Sequence, residues 1–161
     1  MLEWWIVVHF AATEPRLLGI PAHELNESWL RVSVLTPERI DREVPVEKRG
    51  IPFGQQLEEP AFDVRFDVSG DGRPERVVVG VYDAEDGTSG SFLLVAEGSD
   101  ERGWKQAFLS SHAEEANFSY LRTSDGHLSW WPCFECDFFA TLRLGPRGYE
   151  FFDPSGEEEV P

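Results

Sequence analysis

Cations are scarce in this sequence. Its 161 residues carry 14 Lys and Arg against 30 Asp and Glu, a formal net charge of −16 with the four His neutral. Binding to a phosphate backbone relies on clustered Lys and Arg, so nucleic acid is not expected as a partner. Basic proteins and cations are the natural counterparts of such a surface. Cysteine is also rare: Cys133 and Cys136 are the only two, too few for the multi-bridge framework of a small secreted domain but enough for one local disulfide. No apolar run approaches the roughly 18 residues that a membrane span needs, so no span is expected. The chain lacks a Gly-x-Ser-x-Gly elbow, a phosphate loop, a dinucleotide fingerprint and a His-Glu-x-x-His pair. Without a local catalytic signature, the expectation is a non-enzymatic protein.

What is present suffices to fold. A composition of 41% hydrophobic and 13% aromatic residues with 27% charged lies outside the range of intrinsic disorder, and the length fits one domain or two small ones. The texture changes near residue 60. Before it, Pro15, Pro21, Pro37, Pro45, Pro52 and Pro60 interrupt every periodic stretch, leaving room only for short helices and extended segments. Residues 1–60 are therefore expected to form an arm packed on the rest. Within it Thr36 can cap a short helix, Pro37 suits the first helical position, Glu38 favours the positive end of the dipole and Pro45 stops the helix. The stretch Trp4 to Ala12 reads as a strand, because it follows Met1-Leu2-Glu3 and lacks the positive n-region of a secretory signal. Were it instead the remnant of a longer signal ending near Ala11-Ala12, the protein would be periplasmic or extracellular.

Residues 61–153 are punctuated by Gly and Asp turns between short apolar runs, the pattern of an antiparallel meander. About eight strands are expected: Phe62–Phe66, Val77–Tyr82, Ser91–Glu97, Gly103–Ser110, Phe118–Leu121, Leu128–Trp131, Phe138–Leu144 and Tyr149–Phe152. The Val-rich run at Val77–Tyr82 suits a central strand covered on both faces. Phe92, Leu94 and Ala96 are expected on one face of their strand, and Trp104, Gln106 and Phe108 on one face of the next. Ser124-Asp125-Gly126 is a strong hairpin signal. The fold expected is mainly β, a compact two-sheet or barrel-like domain, ending in an acidic, frayed tail at 154–161.

The most informative segment is Asp67-Val68-Ser69-Gly70-Asp71-Gly72-Arg73-Pro74-Glu75. Oxygen-bearing side chains fall at positions 1, 3, 5 and 9, a Gly at position 6 permits a sharp turn, and position 7 offers its carbonyl. Calcium takes six to eight hard oxygen ligands, and a tight loop can supply them. An EF-hand would place a bidentate Glu at position 12; that position is Val78, inside a strand signal, so an EF-hand is not expected.

Residues 67–80, DVSGDGRPERVVVG, resemble the calcium loop and following strand of FG-GAP or VCBS-type repeats. That resemblance implies a calcium site made by Asp67, Ser69, Asp71, the carbonyl of Arg73 and Glu75. It covers about fourteen residues. The Phe-Gly-Gly-Ala-Pro stretch that names the family is missing, and no second full loop recurs at a repeat interval, so a closed propeller is not expected. Asp83, Glu85 and Asp86 before Gly87 make a weaker acidic turn without the same spacing. Ser69 is a poorer ligand than Asp or Asn, which sets the expected dissociation constant near 10⁻⁴ to 10⁻³ M, on the order of extracellular calcium modules. The alternative is a hydrophilic turn whose Asp and Ser bond only their own backbone.

The Cys133-x-x-Cys136 pair lies between strand signals and beside Glu135 and Asp137, which raise nearby thiol pKa values, unlike a redox motif at a helix N-terminus. A zinc site would have to recruit from His9, His23, His112 and His127, none at a recognised spacing. The expectation is a local disulfide or two reduced thiols. Trp4-Trp5 and Trp130-Trp131 could stack sugars, although Trp on strands is more often core on one face. The leading functional reading is an exported, calcium-clipped interaction or structural module with a protein partner. An acidic immunity-type inhibitor of a basic protein and a thiol-disulfide protein using Cys133 and Cys136 are the alternatives.

Overall fold

The computed structural model describes residues 14–43, 60–113, 119–133 and 139–153. Among them are eleven strands and two short helices: β1 (Arg16–Leu17), β2 (Ile20–Pro21), α1 (Ala22–Leu25), β3 (Trp29–Val34), α2 (Pro37–Glu43), β4 (Asp63–Phe66), β5 (Glu75–Ala84), β6 (Ser89–Ser99), β7 (Gly103–His112), β8 (Tyr120–Ser124), β9 (His127–Trp131), β10 (Ala140–Gly145) and β11 (Gly148–Phe152). The protein is mainly β, and every strand pairing is antiparallel. The runs expected for residues 61–153 fall on β4 to β11, and β1, β2 and β3 add to them from the Pro-punctuated segment. The described strands form no closed barrel. One sheet runs β3-β5-β6-β7 with β4 also on β5, a second runs β11-β10-β9-β8, and β1-β2 is a separate hairpin.

The two larger sheets share one buried cluster. Val77, Val79 and Val81 of β5 and Leu93 and Val95 of β6 meet Leu121, Leu128, Trp130, Ala140 and Leu142 of the second sheet. The alternate residues Val78, Tyr82, Phe92, Leu94 and Ala96 face the other way, into a second cluster closed by Leu17, Ile20, Ala22, Leu25 and Trp29. Successive strand side chains point to opposite faces, so β5 is apolar at nearly every position because it is covered twice. Each fully buried Val, Leu or Phe contributes about 1.5–3 kcal/mol, which makes β5 and β6 the stability centre. Trp29 stacks on Tyr82 with ring centroids 4.3 Å apart and planes 13° apart. The change of texture near residue 60 does not separate two sheets, since β3 pairs with β5 from Trp29 to Val34.

Local chemistry explains the helix and the turns. Arg39 N donates to Thr36 Oγ1 at 3.2 Å, a cap at the first turn of α2. Ile40 on α2 and Leu35 before it are buried in the inter-sheet core. Asp125 and Gly126 have φ of 51° and 77°, the pair of positive values a tight hairpin turn demands. One expectation on sidedness is corrected. Val95 pairs with Phe108 but Ala96 pairs with Gln106, so Ala107 is the extra residue of a bulge. A one-residue slip reverses the faces of a strand. Trp104 accordingly joins the outer cluster while Phe108 packs on the inter-sheet core.

Several expectations lie outside the described residues: the strand at Trp4–Ala12, the helix stop at Pro45, the first residues of the runs beginning at Phe118 and Phe138, and the acidic tail. Among the described residues, no helix is long and apolar enough to cross a membrane.

Candidate functional site

The acidic segment joins β4 to β5, whose pairing runs from Asp63–Val78 to Phe66–Glu75. It is thus a hairpin loop at one end of the sandwich. Gly70 and Gly72 have φ of 73° and 83°, a conformation that glycine adopts without a Cβ penalty. The turns wrap the loop around the carboxylate of Asp67. Its Oδ1 accepts from Asp71 N at 3.0 Å and from the Ser69 hydroxyl at 3.4 Å, and its Oδ2 accepts from Gly72 N at 2.9 Å. Asp71 Oδ1 in turn accepts from Arg73 N at 2.8 Å.

Glu75 behaves differently. Only 4% exposed, it accepts from Val68 N at 2.7 Å through Oε2 and lies 3.0 Å from the Tyr149 hydroxyl through Oε1. The same hydroxyl lies 2.8 Å from Glu97 Oε1. A phenol carries one proton, so it donates to one carboxylate at a time. Burial, with the Glu97 and Glu75 carboxylates beside it, raises the Tyr149 phenol well above its ordinary pKa. Tyr149 therefore stays a neutral donor that ties β11 to the first residue of β5 and to the end of β6.

Ser69, Asp71, Arg73 and Glu75 line one cleft of about 570 Å³ with Glu97, Arg102, Lys105, Leu144 and Tyr149. Leu144, 46% exposed, forms part of its wall. Asp67 lines a neighbouring groove of about 390 Å³ with Phe66, Leu128, Leu142 and Phe152. The hard oxygens of Asp67, Ser69, Asp71 and the Arg73 carbonyl are donors of the kind calcium takes. Glu75, however, is turned to Tyr149, and no group of three or more His, Cys, Asp and Glu is gathered as a metal centre among the described residues. The five expected ligands share one loop but divide between two grooves, with both Asp67 oxygens held by loop N–H groups and Glu75 turned to Tyr149.

Nothing in the local sequence points to Tyr149 or Glu97. They lie 74 and 22 positions beyond Glu75, and only the pairing of the sheets brings them to it.

The remaining candidates resolve into ordinary roles. Asp86 accepts from Thr88 N at 2.9 Å and its hydroxyl at 2.7 Å, bonds that lower the Asp86 pKa and describe a local Asx turn. Trp130 is buried core and Trp131 stacks between Tyr120 and Phe139, so this pair presents no open sugar platform. His112 stacks on Trp130 at 5.7 Å. Cys133 follows β9 and β10 begins at Ala140, so the described flanks are strands, while Cys136 lies outside the described residues.

A second polar network sits on the outer face. Arg76 bonds Asp63 at 2.7 and 2.9 Å, Arg65 pairs with Asp100, and Trp104 Nε1 donates to Asp100 Oδ1 at 3.0 Å. Arg65 and Trp104 hold the Asp100 carboxyl below its usual pKa, and both guanidinium groups lie within 6 Å of the Trp104 ring centre. The network lies against Trp104, a member of the outer cluster.

No protein-family model matches this chain, and no match to it is found among curated proteins or solved structures.

Proposed function

We propose that this chain is a non-enzymatic β module that docks a protein partner at its loop end, with calcium clipping the acidic loop. One observation supports the reading above others. The loop from β4 to β5, the turn from β6 to β7 and the strands β10 and β11 contribute to a single cleft with a half-exposed leucine in its wall. Loops carried on a rigid scaffold are where binding residues concentrate, and a cleft of this size is adequate for a side chain or short segment of a partner. The net charge of −16 draws basic partners from a distance, as in the related reading of an acidic immunity-type inhibitor. The lining of the cleft holds Asp71, Glu75 and Glu97 together with Arg73, Arg102 and Lys105, so contact there depends on shape and pairing more than on net charge.

Asp67, Ser69, Asp71 and the Arg73 carbonyl would hold the ion, with Glu75 joining once released from Tyr149; the ion would supply a positive centre that fixes the turn. With a dissociation constant of about 10⁻⁴ M and about 1 mM calcium, linkage gives roughly 1.4 kcal/mol of stabilisation. The test is thermal unfolding in calcium and in chelator for the natural chain and for Asp71→Ala. The expected result is a higher melting temperature in calcium that the variant loses. Equal melting temperatures in the natural chain would remove the ion from the reading. The partner half is tested separately: association with a basic protein should slow steeply as salt rises, and salt-independent association would overturn electrostatic recruitment.

A further inference from the structure

We draw no further inference here: the strongest candidate, the cleft of about 570 Å³ between the acidic loop, the β6–β7 turn and Tyr149, belongs to the site already described, and a lining of three carboxylates and three cations leaves nothing in the structure to show which ligand would enter it.

Discussion

Replacing Tyr149 with Phe removes one hydroxyl and leaves its ring in place against Phe108, 6.5 Å away between centroids. The hydroxyl lies within reach of carboxylates from two strands of the opposite sheet, Glu75 at 3.0 Å and Glu97 at 2.8 Å, and donates to one of them at a time. A hydrogen bond to a charged acceptor contributes about 1.5–3 kcal/mol. Glu97 is exposed and finds water when the hydroxyl is lost, whereas Glu75 is buried and keeps only the Val68 N–H. The loss should therefore come mainly from Glu75 and amount to about 1.5–2.5 kcal/mol. For a chain of this length that lowers the melting temperature by about 3–10 °C. Urea unfolding at neutral pH of the natural chain, Tyr149→Phe, Glu75→Gln and the double variant would measure it. Residues sharing one hydrogen bond should couple by about 0.5–3 kcal/mol. Glu97→Gln should cost much less than Glu75→Gln, because the hydroxyl still has Glu75 to serve. A Tyr149→Phe protein within about 0.5 kcal/mol of the natural chain, with no coupling to Glu75, would refute the proposed tie between the sheets.

Three further outcomes follow from the same structure. Burial, with Asp86 adding to it, raises the Tyr82 phenol pKa above its ordinary value of 10.0. Its contribution is therefore intact below pH 10 and is lost as pH rises further, where the unfolded chain ionises first; the slope is about 1.4 kcal/mol per pH unit at most. Urea midpoints between pH 9 and pH 11 should fall less steeply in Tyr82→Phe, and an unchanged slope would show that the phenol does not contribute. Gly80→Ala should destabilise by about 1–3 kcal/mol or more, because the added methyl would collide with the Ser33 carbonyl oxygen and the Phe92 ring; a neutral variant in chemical unfolding would contradict that packing. Thr36→Ala should cost about 1 kcal/mol through loss of the α2 cap, with Thr36→Ser retaining most of it, and equal losses in both variants would assign the effect to something other than the cap.

Much of the fold was legible because some physical constraints act on neighbouring residues. The double burial of β5 is visible as the Val-rich run Val77–Tyr82, the hairpin at Asp125-Gly126 as the residue pair that accepts positive φ, and α2 as a capping Thr followed by Pro. The outer cover was not legible. Leu17, Ile20, Leu25 and Trp29 bury one surface from a hairpin, a single helical turn and the start of a strand, so they share no period. The facing of Phe108 escapes the local pattern for a different reason: alternation predicts sides only until a bulge inserts a residue, and Ala107 carries no mark of one.

For the acidic loop, the order of residues along the chain sets the donors and the turn. The order Asp67, Ser69, Asp71, with Gly70 and Gly72 between and after them, is enough to curl the backbone onto the first carboxylate. The place of Glu75 depends on packing between the sheets. Side-chain spacing within a loop is local, whereas the pairing of two sheets brings together residues 74 positions apart. That pairing sets Tyr149 against Glu75, turning the last residue of the acidic loop into an anchor between the sheets.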